Sequence, residues 1–158
     1  MKNAGFTLVE LLVVIGLIAI ISAIATMNFN SWQKKAQIES QTRTLFASLN
    51  QARIDAMQHK LPRSIVLYPN MYTYRQYTSE NEARAAGKVI QTQPVAYTLT
   101  EISGPADNIT LFDVRGYTDD TGTIQINPAG TSAAVDCVFV STGRTNIGKM
   151  ANGACTIN

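Results

Sequence analysis

Apolar residues run almost unbroken from Leu11 to Met27, interrupted only by Gly16, Ser22 and Thr26. A helix needs about 20 mostly apolar residues to cross the hydrocarbon core of a bilayer, and this run with its flanks is long enough. From Asn28 to Lys60 the pattern changes. Neither Pro nor Gly occurs there, and Gln, Ala, Arg, Lys and Leu, all good helix formers, are abundant. Ile38, Thr42, Leu45, Leu49, Ala52 and Ala56 recur at alternating helical spacings and share one face. Arg43, Asn50, Arg53 and Lys60 fall on the others. Such a stripe packs on something, most simply the region that follows it. Leu61-Pro62 ends the helix, because the residue before proline is pushed out of helical geometry. A helix from Phe6 to Lys60 would measure roughly 80 Å at about 1.5 Å per residue, with Gly16 the one obvious weak point in its apolar half.

Beyond Pro62 the period shortens. Ser64–Tyr68 and Tyr72–Tyr77 are β-branched and aromatic, and the turn-like Pro69-Asn70 between them predicts a hairpin. Alternation puts Tyr72 and Tyr74 on one face, read as a packed sheet face rather than a stacking platform. Ser79–Lys88 is polar and contains Gly87, a loop or short helix. Further strands are predicted at Val89–Gln93, Val95–Leu99, Ile109–Val114, Thr123–Asn127 and Cys137–Ser141. Turn signals separate them at Ser103-Gly104-Pro105, Asp119–Gly122 and Asn127–Gly130. Short strands at this spacing point to one antiparallel sheet or two small ones. With one long helix before them the fold class is α+β.

Composition narrows the function. A chain of 158 residues is one domain's worth. With the helix set aside, about a hundred residues remain for a head, enough for a core but small enough to benefit from a covalent staple. The formal net charge of +2 speaks against broad nucleic-acid binding and leaves room only for a local basic patch. No nucleophile–base pair can be placed, since the single histidine, His59, lies near the helix end and answers its dipole. No phosphate loop is present. No enzyme activity and no cofactor are expected.

Glu10 is the anomaly of the N-terminus. A carboxylate in an apolar spanning segment costs about 2.5–3.5 kcal/mol even on the lenient insertion scale, and by default is functional, with a partner to be named. Gly5-Phe6-Thr7-Leu8-Val9-Glu10-Leu11-Leu12 resembles the processing signal of type IV pilins and the pseudopilins of type II secretion: Gly before an aromatic residue, and a glutamate fifth after the implied cut. An ordinary secretory signal is the competing reading, but its apolar stretch is about 7–15 residues and its small-residue site follows that stretch. Here the run is longer, and Ser22-Ala23-Ile24-Ala25 lies inside the helical pattern. Charge alone leaves the orientation balanced, with Lys2 on one side and Lys34 and Lys35 on the other. The resemblance implies leader inside, head outside.

The resemblance implies more. A prepilin peptidase would cut between Gly5 and Phe6 and N-methylate Phe6, and Glu10 would serve assembly. The partners would be other pilin or pseudopilin subunits, the inner-membrane assembly platform and the membrane itself. The chain divides accordingly into a leader at 1–5, a transmembrane and assembly helix at 6–28, an amphipathic helix at 29–60 and a β-rich head at 61–158. One departure is the absence of the proline that many pilins carry near the end of the first apolar stretch; Ala25-Thr26-Met27-Asn28 stands there. A head in an oxidising compartment would favour a bond between Cys137 and Cys155, worth on the order of 3 kcal/mol by chain entropy; the alternative is two buried thiols. Pilins commonly hold a C-terminal loop with such a bridge, and Ser141–Lys149 is exposed by composition.

Weaker signals are discounted. Asp113, Asp119 and Asp120 could offer oxygens to a cation, but Asp-Thr-Gly between strands is turn chemistry first, and no metal is expected. Asn108-Ile109-Thr110 matches a glycosylation acceptor that chance readily produces. Leu49–Met57 and Val138–Arg144 look like the GspH/FimT-like minor group. The leading reading is therefore a minor pilin or pseudopilin, a structural subunit of a type IV pilus or type II secretion filament. The alternatives are a major pilin or a DNA-binding minor pilin. Some FimT-like proteins bind DNA through Gly-Arg-x-Arg; Gly143-Arg144-Thr145-Asn146 lacks the second arginine, so only Arg144 and Lys149 could meet phosphate.

Overall fold

The computed structural model describes residues 7–127 and 132–157, with the backbone alone for 23–28. Helix α1 spans Leu8–His59. Nine strands follow among the described residues: β1 Arg63–Tyr68, β2 Met71–Gln76, β3 Lys88–Pro94, β4 Leu99–Ser103, β5 Ile109–Phe112, β6 Gly122–Ile126, β7 Cys137–Val140, β8 Thr145–Ala151 and β9 Ala154–Ile157. They form two antiparallel sheets, ordered β3-β2-β1-β5 and β4-β6-β7-β8-β9. The fold is α+β. The chain divides into two compact units, Met1–Lys34 and Lys35–Asn158.

In the second unit the predicted stripe is the buried one. Ile38, Thr42, Leu45, Leu49, Ala52 and Ala56 are fully buried, and the Thr42 hydroxyl donates back to the Ile38 carbonyl at 2.7 Å. Their apolar side chains share a core with Ile65, Leu67 and Tyr72 of the first sheet and Leu99, Ile124 and Val138 of the second. Each fully buried leucine contributes roughly 1.5–3 kcal/mol, which outweighs the weak helix preference of any single residue in this stretch. Lys60 at φ 55° breaks the helix in the left-handed region, just before Leu61-Pro62.

Arg53 departs from the expectation of an outward face. It is buried, its guanidinium 5.0 Å from the Phe112 ring centroid, and it donates to the Ser141 carbonyl and the Thr145 hydroxyl at 3.4 and 3.3 Å. A ring face and two acceptors at the sheet end hold it inside, where burial lowers its pKa.

The β1–β2 hairpin turns at Pro69-Asn70, pairing Tyr68 with Met71 and Arg63 with Gln76. Tyr72 and Tyr74 face α1. The Tyr72 hydroxyl meets that of Ser48 at 2.9 Å, and Tyr74 donates to Asp55 at 2.6 Å. Residues 78–87 form turns and no helix, because the segment is pinned rather than periodic: Tyr77, fully buried, donates to the Arg84 carbonyl at 2.6 Å. Gly87 passes over its ring, where a Cβ would sit 2.6 Å from the nearest ring atom.

Val95–Thr98 is not a strand. The chain crosses there between the sheets, and the Gln41 amide brackets the Tyr97 peptide, donating to its carbonyl at 2.6 Å and accepting from its N–H at 2.9 Å. A side chain has taken the place of a ladder partner. Ser141–Lys149, expected as an exposed loop, is largely β8, which pairs with β7 and with β9. The β8–β9 turn is Asn152-Gly153, both at positive φ, the hallmark of a two-residue hairpin turn. The expected turn at Asn127–Gly130 falls mostly outside the described residues.

Cys137 and Cys155 are bonded, with Cα atoms 6.0 Å apart. They lie on β7 and β9, so the bridge passes over β8 at Gly148, the pairing partner of Cys137. A Cβ on Gly148 would stand 3.0 Å from the Cys155 sulfur and 2.3 Å from the Thr156 carbonyl oxygen. The missing side chain is what admits the bridge.

The two edges of the first sheet differ. On β5 the outward backbone groups are capped by side chains: the Ile109 N–H donates to Asp107 at 3.1 Å and the Leu111 N–H to Asp120 at 2.8 Å. Arg84 donates to the Ile109 carbonyl at 2.6 Å and pairs with Asp107 and Asp120 at 2.8 and 3.0 Å. On β3 no outward backbone partner exists for Lys88–Gln93 among the described residues.

Candidate assembly interface

Of the residues singled out at the N-terminus, Gly5 and Phe6 lie outside the described residues, and Glu10 lies within them. Thr7 opens α1. Its hydroxyl accepts the Glu10 N–H at 3.3 Å and its carbonyl accepts the Leu11 N–H at 3.2 Å. Thr7 is thus the helix cap and Glu10 the third helical residue, the spacing of a capping box. A carboxylate in the first turn is also favoured by the helix dipole. The signal, Thr-x-x-Glu, stands in the sequence at positions 7 to 10.

Around Glu10 the helix surface is apolar on every side. The large side chains from Leu8 to Ile21 are between 43% and 74% exposed. A helix apolar all round belongs inside a bilayer or a larger assembly. Among the described residues no helix is long and apolar enough to cross a membrane; the apolar run continues into 23–28, whose side chains are not described. Gly16 meets no other part of the chain, for a Cβ there would touch nothing within 4 Å.

The head offers polar clusters whose groups are already engaged. Burial pushes the Asp113 carboxyl up, but the Tyr117 N–H, the Arg115 guanidinium and the Arg115 N–H, from all of which it accepts, together hold it below the usual range. Asp120 caps β5. These two aspartates therefore face arginines and backbone donors, while Asp119 is exposed. Glu101 on β4 is different: its Oε2 is buried with no hydrogen-bond partner among the described residues. Burial, then repulsion from Asp107 and Asp120, pushes this carboxyl up to about 7.

A cavity of about 170 Å³ lies between α1 and the first sheet, lined by Ser48, Asp55, Tyr72, Tyr74 and Gln91 among others. Its phenols are bonded to Ser48 and Asp55, and burial, then the Asp55 carboxylate, holds the Tyr74 hydroxyl above its ordinary pKa. Lys149 pairs with the buried Asp136 at 2.6 Å, while Arg144 is exposed in the turn between β7 and β8. His59 bonds the Asp55 carbonyl at 3.0 Å in the last turn of α1. Thr110 of the glycosylation triplet is buried.

Residues 1–26 match the family described as the prokaryotic N-terminal methylation motif. Over 58 residues the chain is 38% identical to prepilin peptidase-dependent protein D of Escherichia coli (strain K12), a stretch covering 37% of this chain and 40% of that relative. The match therefore spans about two fifths of the relative's length. No solved structure matches the chain. The methylation motif, the resemblance to a protein named for its dependence on prepilin peptidase, and a long helix packed on antiparallel sheets together support the type IV pilin and pseudopilin family for this chain.

Proposed function

We propose that the chain is a minor pilin or pseudopilin, a structural subunit of a type IV pilus or type II secretion filament. Residues 1–5 are the leader, 6–28 the membrane and assembly helix, 29–60 the amphipathic helix and 61–158 the head. The observation that carries this reading is the all-round apolar surface of Leu8–Ile21, with Glu10 in its first turn. Before assembly the subunit crosses the inner membrane once with its head in the periplasm, and the assembly platform then moves it into the filament. Prepilin peptidase cuts between Gly5 and Phe6 and methylates the new amine.

That amine remains cationic after methylation. In an adjacent subunit it neutralises Glu10 when helices pack side by side, offsetting a desolvation penalty of several kcal/mol per ion, and removing one partner strands the other charge. The pair thereby sets the register between helices. Mass spectrometry of sheared filaments should find methyl-Phe6 at the start of the chain; an intact Met1 in assembled filaments overturns the processing. Glu10→Leu should stay cleaved and membrane-bound yet fail to enter filaments, and entry at normal stoichiometry overturns the charge register. The Lys149–Asp136 pair weighs against the DNA-binding alternative, since it neutralises one of the two cations that reading needs.

A further inference from the structure

Phe29 and Trp32 are 58% and 64% exposed, and their ring centroids lie 6.2 Å apart. One helical turn separates them, so they share a face of α1. We propose that this pair is a bilayer-interface anchor. Before assembly the two rings lie in the headgroup layer on the far side of the membrane from the leader and fix how deep the apolar helix sits. The inference rests on the membrane-spanning reading above and adds to it a depth marker.

Depth comes first. Starting from Leu8, Phe29 stands about 32 Å and Trp32 about 36 Å farther along α1 at about 1.5 Å per residue. The hydrocarbon core is about 30 Å thick and the headgroup layers bring the total to about 40–45 Å. With Leu8 at the near boundary of the core, both rings fall just beyond the far one.

Chemistry agrees with the position. Indole joins a large apolar ring to an N–H that wants an acceptor, the combination enriched where hydrocarbon meets water. Asn30 is exposed beside the rings, and Lys34, also exposed, follows in the sequence with Lys35 next. Lysines in that place reach lipid phosphates. In the sequence the rings directly follow the apolar run Leu11–Met27 that the membrane is proposed to cover, which identifies lipid as their cover.

Trp32 is the single tryptophan, so its fluorescence reports this site alone. The full-length chain would be reconstituted in phosphatidylcholine–phosphatidylglycerol vesicles at high dilution in lipid. Quenching would be compared between a spin label on the lipid headgroup, one near the end of the acyl chain, and aqueous iodide. The anchor predicts blue-shifted emission, quenched several-fold more strongly by the headgroup label than by the deep one. Stronger quenching by the deep label overturns the depth, and quenching by iodide alone places the ring in water and overturns the anchor. Lipid quenching that stays absent at every dilution while iodide is also excluded assigns the face to a second copy of the chain and overturns it too. Carbonate extraction separates the two levels. A chain that resists extraction keeps the membrane-spanning reading whatever the quenching shows, and a released chain overturns both.

Discussion

At the scale of single residues, two positions carry consequences out of proportion to their size. Nothing in the sequence marks Gly148, yet it leaves the gap through which Cys137 reaches Cys155 across an intervening strand. Gly148→Ala presses a methyl group onto the Thr156 carbonyl, a backbone atom that cannot swing aside. Overpacking of this kind costs about 1–3 kcal/mol, and the loss should appear in thermal unfolding of the chain in detergent, with free thiols rising in a mass map. Glu101 gives a pH signature instead. Its folded-state pKa is raised, so the unfolded chain ionises first as pH climbs from the ordinary carboxylate range toward about 7, and folding loses stability across that window. Glu101→Gln should therefore raise the melting temperature at alkaline pH and leave it unchanged in acid below the ordinary carboxylate range. An equal gain at both ends would show that the charge is not the cause. Neither position could be found from residue type alone, because each is defined by a neighbour far along the chain. Glu10 was legible, since a charge in an apolar run stands out without any partner in view.

At the scale of elements, legibility followed locality. The buried stripe of α1, its end before Pro62 and the Pro69-Asn70 hairpin were written in local spacing. Val95–Thr98 misled because β-branched and aromatic residues suit a strand, while a distant glutamine claimed the peptide at Tyr97. Strands β8 and β9 were missed because small polar residues hide the pattern, although Asn152-Gly153 was a sound hairpin signal. The stripe itself can be tested. Leu49→Ala removes a fully buried side chain shared by helix and both sheets, and should cost about 2–5 kcal/mol depending on how far the site collapses. Denaturant unfolding in detergent measures it; a loss no greater than that of an exposed substitution such as Ala47→Gly would mean the helix does not organise this core.

At the scale of the molecule, the disulfide and the apolar helix act on different units and should be separable. Cys155→Ser should lower the stability of the head by about 3 kcal/mol while the chain still resists carbonate extraction from membranes. Loss of membrane retention in that variant would contradict the division. The Arg84 cap on β5 has a consequence of another kind. Counted by the first sheet alone, which can accept a neighbour at only one edge, the head behaves in the language of polymerisation as a monofunctional monomer: two heads can join through their β3 strands, and this sheet then adds no third. Arg84 holds Asp107 below the usual carboxylate range, so this chain-stopping persists into mild acid. With Arg84 replaced by alanine, the Ile109 carbonyl loses its donor and both aspartates lose their cation; the first sheet becomes bifunctional, and pairs give way to open-ended chains.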